Sequence, residues 1–366
     1  MRSPRVPNPQ GPGASLPHRA ARSPALYSEG REPPRSGFRQ GVVPSVVALL
    51  VLAWATVACG PPRQAPVQAT AAPTVTPEVA APRLTIQFLD VGQGDAILVT
   101  VDGRRLLVDG GPSRDRLHTR LQSLGIRDID AVLVTNPDAD HIRGLIEALA
   151  MFQVETFYSS ASTNPSATYA ELLAAVAMEA GIQVVTLVRG QFVPLGGVQL
   201  DVLHPLTISG DRNDDSLALK LTCENVTVLL MGDATTTSEE SMLAVGLVPK
   251  ADVVKAGHHG SRTSSGEPFV EALKPAYVIF SAARDSQYGH PHAEVVARYL
   301  AAGAQAVSTD STPDDDTAVL TSDCQTYSVS GRAVGGAAVT PVPGGPAASA
   351  TPAAAPSATT TLAAGG

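Results

Sequence analysis

Apolar and polar residues alternate from residue 84 onwards in a pattern that predicts a series of strands. Leu84, Ile86 and Phe88 alternate with polar residues, as in a half-buried strand. The segments AILVTV and RRLLVDGG predict two further strands that meet at the hairpin signal Asp102-Gly103. Later apolar runs predict several short strands within residues 183–203 and single strands near residues 131–135, 154–158, 216–223, 226–231, 252–256, 277–282, 317–322 and 325–330.

Helical patterns separate many of these strands. The segment T-T-S-E near Thr236 offers a capping box for one helix start. Hairpins in the first half and strand-helix units in the second predict a strand-rich α/β fold whose sheets are sandwiched between helices. The two halves also resemble each other weakly in this order. Helices are predicted at residues 114–124, 142–152, 167–180, from about 236, at 266–274 and at 292–302.

The composition changes outside residues 83–332. Residues 60–82 and 333–366 are rich in Pro, Ala and Thr and carry few charges. Such segments cannot bury enough apolar surface to offset chain entropy, so we expect a disordered linker and a disordered tail. The remaining stretch of about 250 residues suits one large or two small domains.

Residues 1–59 have the pattern of a targeting segment. A basic leader is followed by an apolar run of about 17 residues that ends in TVAC, with Cys59 directly before the linker. This resembles a bacterial lipoprotein signal in which Cys59 is lipidated; an uncleaved N-terminal membrane anchor is the alternative. Both interpretations predict an extracytoplasmic domain that a flexible arm tethers to the membrane.

Charge and cysteine content narrow the classes of function. The formal net charge is −8 and the pI is near 5.5, which argues against a protein that holds nucleic acid by nonspecific electrostatics but leaves a hydrolase open. Besides Cys59, the chain has Cys223 and Cys324, which lack the spacing of a metal site. They are either buried free thiols or a single bridge.

Carboxylate and imidazole side chains recur where the predicted strands end. Six of the 8 histidines are in these loops. Active sites of layered α/β folds gather at strand ends, and several carboxylates and imidazoles that converge on one point suit a pair of metal ions. The recurring residues are Asp90, Asp95, Asp109, Asp138, Asp140, His141, His204, Asp233, His258, His259, His290 and His292.

Seven motifs carry a resemblance to a known family. FLDVGQGDA, LLVDGG, DADHIRGL, NDDSLALKL, LLMGD, VVKAGHHGS and YGHPH have the order and spacing of the metallo-β-lactamase-like domain of ComEC-type DNA-uptake (competence) proteins, over about residues 84–322. The resemblance implies a four-layer αββα sandwich with two divalent metal ions, Mn or Zn with Mg as a third candidate, and no organic cofactor. Histidine is usual in the family at Asn136, so we expect one metal subsite to be weak.

The resemblance also implies roles for individual residues. The expected metal ligands are Asn136, Asp138, Asp140, His141, Asp233 and His258, and His259 either supports His258 or exchanges roles with it. Asp140, Asp233 and His290 are the expected catalytic residues. Lys255 and the hydroxyls of Ser261 and Ser264 either contact a phosphate or are ordinary solvated groups. The other residues expected to orient ligands or to contact the substrate are Asp95, Asp109, His204, Asn213, Asp214, Ser216 and His292.

The function that follows is an exported metal-dependent hydrolase of phosphodiesters, with DNA or another nucleic acid as substrate and a hydroxide held by the metals as nucleophile. Two alternatives stay open. One is an exported hydrolase of another phosphoester, an ester or a lactone; the other is a non-catalytic, surface-tethered binding protein with a degenerate metal site. The oxygen-rich ligand set favours Mn over Zn. The oligomeric state is left open.

Overall fold

The structure is a computed structural model that describes residues 83–309 and 317–334. The leader 1–59 with Cys59, the linker 60–82 and residues 335–366 of the tail lie outside the described residues, so the expectations for them stay predictions. Within the described part, no helix combines the length and the apolar character that a bilayer span requires.

Sixteen strands form in the described part of the chain. The central ones are buried on both faces: all four residues of the strand Tyr277–Phe280 are buried, as expected between parallel neighbours. In chain order they are β1 (Leu84–Phe88), β2 (Ile97–Val101), β3 (Arg104–Val108), β4 (Ala131–Val134), β5 (Thr156–Ser159), β6 (Gln183–Thr186), β7 (Phe192–Leu195), β8 (Val198–His204), β9 (Ala218–Cys223), β10 (Val226–Leu230), β11 (Val253–Lys255), β12 (Tyr277–Phe280), β13 (Gln305–Ser308), β14 (Ala318–Ser322), β15 (Tyr327–Ser330) and β16 (Arg332–Ala333).

Six α-helices connect the strands of the described part. Side-chain oxygens of Ser113, Ser166 and Thr235 accept hydrogen bonds from backbone amides of the first turns of three of them, which satisfies donors that a helix start leaves unpaired. The helices are α1 (Arg114–Ser123), α2 (Ala139–Met151), α3 (Ala167–Met178), α4 (Thr236–Leu243), α5 (Glu267–Leu273) and α6 (Ala293–Ala301).

The strands form two eight-stranded mixed sheets with matching topology. The first sheet has the order β15-β14-β1-β2-β3-β4-β5-β6 and the second β16-β13-β12-β11-β10-β9-β8-β7. In each, three consecutive antiparallel strands (β1 to β3, β8 to β10) lead into parallel strands joined by helices. The weak similarity between the halves of the sequence is therefore a real structural repeat.

Three apolar clusters define four layers. The inward faces of both sheets form the central cluster, which includes Leu84, Ile86 and Phe88 of β1. A second cluster packs α1, α2 and α3 on the first sheet, and a third packs α4, α5 and α6 on the second. The predicted αββα sandwich is confirmed.

The element boundaries differ from prediction in a few places. Helix α2 begins at Ala139, three residues earlier than predicted, so Asp140 and His141 lie in its first turn. Strand β13 was not predicted, because its sequence QAVS offers only two apolar residues, yet it pairs in parallel with β12. Ala333, which the composition assigned to the tail, pairs with Val307 in β16.

The two cysteines of the domain form a disulfide. Cys223 is the last residue of β9, and Cys324 lies in the turn between β14 and β15. Both are buried in the central cluster. The bond therefore connects the two sheets, and of the two alternatives left open by the sequence the structure selects the single bridge.

Candidate metal centre

The polar residues predicted at strand ends meet at one edge of the sandwich. The strands β3, β4, β10, β11 and β12 all deliver loops to this edge, because each is parallel to a neighbour in its own sheet. The loops surround a cleft of about 170 Å³. It is lined by Gln93, Asp138, Asp140, Asn213, Asp233, His258, His259, Tyr288 and His290.

Close backbone contacts place α2 at this edge. A Cβ on Gly144 of α2 would lie 1.9 Å from the carbonyl oxygen of Gly110, and a Cβ on Gly94 would lie 2.1 Å from that of Asp140. Only glycine permits these approaches. The amide of Gly110 donates to the carbonyl of His141 at 2.6 Å, so the DGG, GQGD and HIRG motifs together hold the first turn of α2 in position.

A carboxylate holds the buried His141 from behind. Asp109 Oδ2 lies 2.8 Å from His141 Nδ1. Asp109 is itself held by the amide of Thr135 at 2.8 Å and by its hydroxyl at 2.5 Å. This pairing directs Nε2 of His141 towards the cleft side, where it lies 3.1 Å from Asp233 Oδ2.

A second carboxylate holds His259 in the same way. Asp95 Oδ1 lies 3.3 Å from His259 Nδ1 and 2.9 Å from Lys255 Nζ, and all three side chains are buried. Both His258 (φ 46°) and His259 (φ 55°) adopt the left-handed conformation, which costs about 1–3 kcal/mol per residue. The amide of His258 donates to the carbonyl of Gly232 at 3.0 Å, which helps to hold this strained loop.

Four side chains from both sheets converge on one point. His259 Nε2 lies 3.2 Å from Asp233 Oδ1 and 3.4 Å from Asp140 Oδ2. Among the described residues, Nε2 of His141, Nε2 of His259 and Oδ1 of Asp233 are buried without a hydrogen-bond partner. Buried polar atoms are rarely left unpaired, and these three face one another. Asp140, His141 and His259 offer ligand atoms close enough together to hold a metal ion. Asp233 contacts both imidazoles, so the four residues together fit a divalent cation.

A second combination of potential ligands fits a cation less well. Asp95, Asp109 and His141 also lie close together, behind the histidine rings. Asp95 is already neutralised by Lys255, and Asp109 already accepts hydrogen bonds from Thr135. We therefore assign these carboxylates to orienting the histidines rather than to binding an ion.

The electrostatics of the cluster call for positive charge at its centre. Burial alone would lower the pKa of His259, but the carboxylates of Asp233 and Asp95 outweigh it and raise the pKa to about 9. Burial also opposes protonation of His141, whose pKa is nevertheless raised well above its usual range by Asp233 and Asp109. Burial would raise the pKa of Asp233, yet His141 and His259 hold it below its usual range. Protons or a cation must neutralise these carboxylates.

The structure exchanges the expected roles of the two neighbouring histidines. His258, the predicted ligand, is 23% exposed and its Nε2 lies 3.9 Å from Asp233, while its Nδ1 lies 3.0 Å from the hydroxyl of Thr263. His259 is buried and lies closer to both Asp233 and Asp140. Because the two residues are adjacent histidines, the sequence could not show which of the two rings the backbone turns towards the cluster.

The side chain of Asn136, a predicted ligand, is engaged by neighbouring protein groups rather than turned towards the cluster. Its side-chain oxygen accepts from the amide of Asp138 at 2.8 Å. Its side-chain nitrogen donates to Asn213 Oδ1 at 3.0 Å, to Ser216 Oγ at 3.2 Å and to the carbonyl of Arg212 at 3.3 Å. Asn136 therefore connects the β4–α2 loop to the loop before β9.

The residues expected to contact a phosphate already have ion-pair or hydrogen-bond partners within the protein. Lys255 is fully buried and is paired with Asp95. The hydroxyl of Ser261 accepts from the amide and hydroxyl of Thr263, and the hydroxyl of Ser264 donates to the carbonyl of Gly257. These groups stabilise the histidine loop and are not presented to the cleft.

Most of the remaining predicted residues form hydrogen bonds within the loops that surround the cluster. His204 Nε2 lies 2.6 Å from the carbonyl of Asp214, whose carboxylate accepts from the hydroxyl of Thr235. Ser216 Oγ accepts from the amide of Asp233 at 3.3 Å. His292 Nδ1 accepts from the amide of Arg262 at 3.2 Å. Only Asn213 and His290 of this group line the cleft.

Sequence reasoning assigned no role to several residues at the cleft. Gln93 Nε2 lies 3.4 Å from His290 Nδ1, and Tyr288 stacks on the His290 ring with centroids 5.7 Å apart. Both belong to motifs already quoted, GQGD and YGHPH, which was the available signal. Arg212 and Asn164, which hold Asp138, carried no such signal because their contacts are 74 and 26 residues away in sequence.

Comparison with known proteins defines the class. Residues 89–282, more than half of the chain, match the family model of the metallo-beta-lactamase superfamily, and the chain belongs to that superfamily.

The curated relatives make the class more specific. ComE operon protein 3 of Bacillus subtilis (strain 168) is 31% identical over 232 residues, which is 58% of this chain and 30% of that protein. Competence protein ComA of Neisseria gonorrhoeae is 28% identical over 226 residues, 60% of this chain and 30% of ComA. The resemblance to ComEC-type competence proteins is confirmed, and the matched part spans about a third of their length. A crystal structure of the metallo-beta-lactamase fold protein YhfI from Bacillus subtilis is 14% identical, with a TM-score of 0.45, and covers 64% of this chain and 99% of that one.

Proposed function

We propose that this protein is an exported, metal-dependent phosphodiesterase that acts on DNA or another nucleic acid. The observation that carries the proposal is the convergence of Asp140, His141, Asp233 and His259. Among the described residues, His141 Nε2, His259 Nε2 and Asp233 Oδ1 are buried without a hydrogen-bond partner and face one another. Membership of a superfamily rich in metal-dependent hydrolases and similarity to competence proteins support the same class of reaction. The substrate itself is part of the proposal, because fold does not determine substrate.

In such a reaction, one set of residues binds the cation and a second set orients the histidine ligands. Asp140, His141, Asp233 and His259 hold the cation, and Asp109 and Asp95 keep the two imidazoles in the orientation that binding requires. A bound divalent cation supplies Lewis-acid activation of water and neutralises charge that develops at phosphorus. The feature of this structure that fits a cation is the set of buried potential ligand atoms without a hydrogen-bond partner among the described residues, namely His141 Nε2, His259 Nε2 and Asp233 Oδ1.

His290 is placed to act on the leaving oxygen. It lines the cleft, and burial together with the neighbouring His259 and His258 lowers its pKa to about 4. At neutral pH it is therefore a neutral imidazole. Its Nδ1 lies 3.4 Å from the side-chain nitrogen of Gln93. In the tautomer in which Nδ1 accepts from this amide, Nε2 carries the proton and can donate a hydrogen bond to a departing alkoxide.

The volume of the cleft limits which part of a substrate can enter it, and the disulfide indicates the compartment in which the protein folds. A volume of about 170 Å³ accommodates a phosphate group, so the rest of a polynucleotide would lie outside the cleft. The disulfide between Cys223 and Cys324 supports an oxidising compartment, as expected for an exported protein. The formal net charge of −8 leaves nucleic acid to be held locally rather than by a basic surface.

Turnover by the full chain tests the reaction. Linear DNA, circular DNA and a chromogenic bis-aryl phosphate are offered with Mn, Mg or Zn added in turn. We expect phosphodiester turnover that requires an added metal and that is lost in Asp233→Asn. Cleavage of a lactone or ester without phosphodiester turnover would instead assign the other hydrolase class, and the absence of both turnover and bound metal would favour a binding protein.

Labelling tests the membrane anchor separately. Cells that express the full chain are grown with radiolabelled fatty acid and fractionated, with Cys59→Ser as the matched control. The proposal expects label and membrane association in the wild type and no label in the variant. Soluble, unlabelled wild-type protein that retains its leader contradicts it.

A further inference from the structure

We infer that the site holds one divalent cation, and that the guanidinium of Arg212 supplies the positive charge that a second cation would otherwise bring. The resemblance to the family implied two metal ions, with Asn136 and Asp138 as ligands of the second. In the structure both residues are engaged by protein groups. The phosphate-binding part of this inference rests on the proposed function, whereas the metal count does not.

The orientation of the Asn136 amide is fixed by two partners that cannot change roles. The backbone amide of Asp138 can only donate, so the atom that faces it at 2.8 Å must be the side-chain oxygen. The carbonyl of Arg212 can only accept, so the atom that faces it at 3.3 Å must be the side-chain nitrogen. The oxygen of Asn136 is therefore committed to a backbone hydrogen bond and is not offered to a metal.

The Asp138 carboxylate is neutralised by protein donors. Its Oδ1 accepts from Arg212 Nε at 2.5 Å and from Asn164 Nδ2 at 2.7 Å. A catalytic metal site generally uses at least three protein ligands. With Asn136 turned away, a second ion would have the remaining oxygen of Asp138, a shared oxygen of Asp233 and Nε2 of His258, which lies 3.9 Å from Asp233. Among the described residues, no compact group of potential ligands includes Asp138.

The loop before β9 offers no replacement ligand. His204, the histidine nearest in sequence, lies 2.6 Å through Nε2 from the carbonyl of Asp214. The side-chain oxygen of Asn213 and the hydroxyl of Ser216 both accept hydrogen bonds from Asn136. The second subsite therefore lacks the donors that the first one has.

The charge balance agrees with this assignment. At the first subsite, Asp140 and Asp233 have no Lys or Arg partner among the described residues and face two imidazoles that can serve as neutral ligands, so a divalent cation can balance their charge. At the second subsite, the negative charge of Asp138 already has a positive partner in Arg212. Only the first subsite calls for a divalent ion.

Arg212 is suited to bind a phosphate from this position. Its side chain is 42% exposed, and it contacts through Nε a carboxylate that lines the cleft. Within residues 83–309 and 317–334, its two Nη groups make no hydrogen bond. A guanidinium with two unpaired donors matches the oxygens of a phosphate and is attracted to its charge.

Metal content measures the first part of the inference. The full chain is stripped of metal, saturated with Mn, freed of excess ion and measured by elemental analysis and native mass spectrometry; the experiment is repeated with Zn. We expect one ion per chain, and none after Asp233→Asn. Two ions retained per chain would overturn the inference, whether or not any phosphodiester is cleaved.

A matched pair of arginine variants measures the second part. Arg83 is 43% exposed and pairs with Asp102 and Glu224, at the opposite end of β1 from the cleft, so Arg83→Ala is the control for Arg212→Ala. Binding of inorganic phosphate to the Mn-loaded chain is measured by calorimetry. We expect Arg212→Ala to weaken it about 10- to 100-fold, as for loss of a charged hydrogen bond, while keeping one metal ion; Arg83→Ala should leave it unchanged. Equal phosphate affinity in the two variants would overturn this role for Arg212.

Phosphate binding by itself distinguishes this inference from the proposed function. If the metal count is one and Arg212→Ala weakens phosphate binding, the inference holds even when no DNA or bis-aryl phosphate is cleaved. If the wild type cleaves phosphodiesters with two ions bound, the proposed function holds and the inference fails.

Discussion

The disulfide between Cys223 and Cys324 is expected to make a large contribution to the free energy of unfolding. Cys223 ends β9 of the second sheet, and Cys324 lies in the β14–β15 turn of the first. The two cysteines are 101 residues apart in sequence, and both are buried in the core between the sheets. The bond therefore closes a long loop in the unfolded chain and restricts it strongly.

The size of the effect follows from the loop length. In the chain-entropy model, closure of a loop of about 100 residues stabilises the folded state by about 4.7 kcal/mol at 25 °C. Replacing both residues with alanine (Cys223→Ala and Cys324→Ala) removes the bond and keeps small apolar side chains in the core. We expect the free energy of unfolding of the double variant to be about 4–5 kcal/mol lower than that of the oxidised wild type, a large part of the stability of an ordinary domain.

Urea unfolding of the full chain, followed by circular dichroism at 25 °C with and without dithiothreitol, measures this difference. Reductant should lower the wild-type value towards that of the double variant and should leave the variant unchanged. Because both sulfurs are buried, reduction of the folded wild type should be slow and should accelerate in urea. A difference below about 1 kcal/mol between oxidised wild type and double variant would refute the reasoning.

Three further predictions follow from buried charge. Asp95→Asn should lower metal affinity about 10- to 100-fold, because it weakens the hold on His259 and removes the negative charge that neutralises Lys255; unchanged metal content in elemental analysis contradicts this. His259→Ala should lose more metal than the matched variant His258→Ala, and the reverse order would restore the original assignment. Burial raises the pKa of Glu239 from 4.5 to about 7, so the folded state binds the extra proton and the free energy of unfolding should fall by roughly 3 kcal/mol between pH 4.5 and pH 8. Urea unfolding at both pH values should show this loss in the wild type but not in Glu239→Gln; equal losses in the two proteins would contradict it.

Local pattern was sufficient to predict the layers of this protein. The alternation of Leu84, Ile86 and Phe88 and the turn at Asp102-Gly103 specify a strand and a hairpin that form as predicted. Burial of one face and backbone preference at a turn act over a few residues, so they can be read from adjacent positions. The motifs at the strand ends located the cleft for the same reason, since parallel strands end at a common edge.

Local pattern was insufficient where the interaction partner is distant in sequence. Strand β13 has only Ala306 and Val307 as apolar residues and is stabilised by pairing with β12, 28 residues earlier. The bridge between Cys223 and Cys324 depends on how the two sheets are packed against each other. Such contacts arise from the tertiary fold and leave no periodic pattern in the chain.

By itself, therefore, the sequence determined the αββα sandwich, the edge that carries the site and the kinds of side chain gathered there. Only the tertiary structure decided that His259 faces Asp233 more closely than His258 does, because two consecutive left-handed residues set the direction of each ring. It also decided that Asn136 is turned away from the cluster and that Asp138 is paired with Arg212, 74 residues further along the chain. The physical reason is common to both: residue type supplies a donor or a charge, but its partner is set by backbone conformation and by long-range packing.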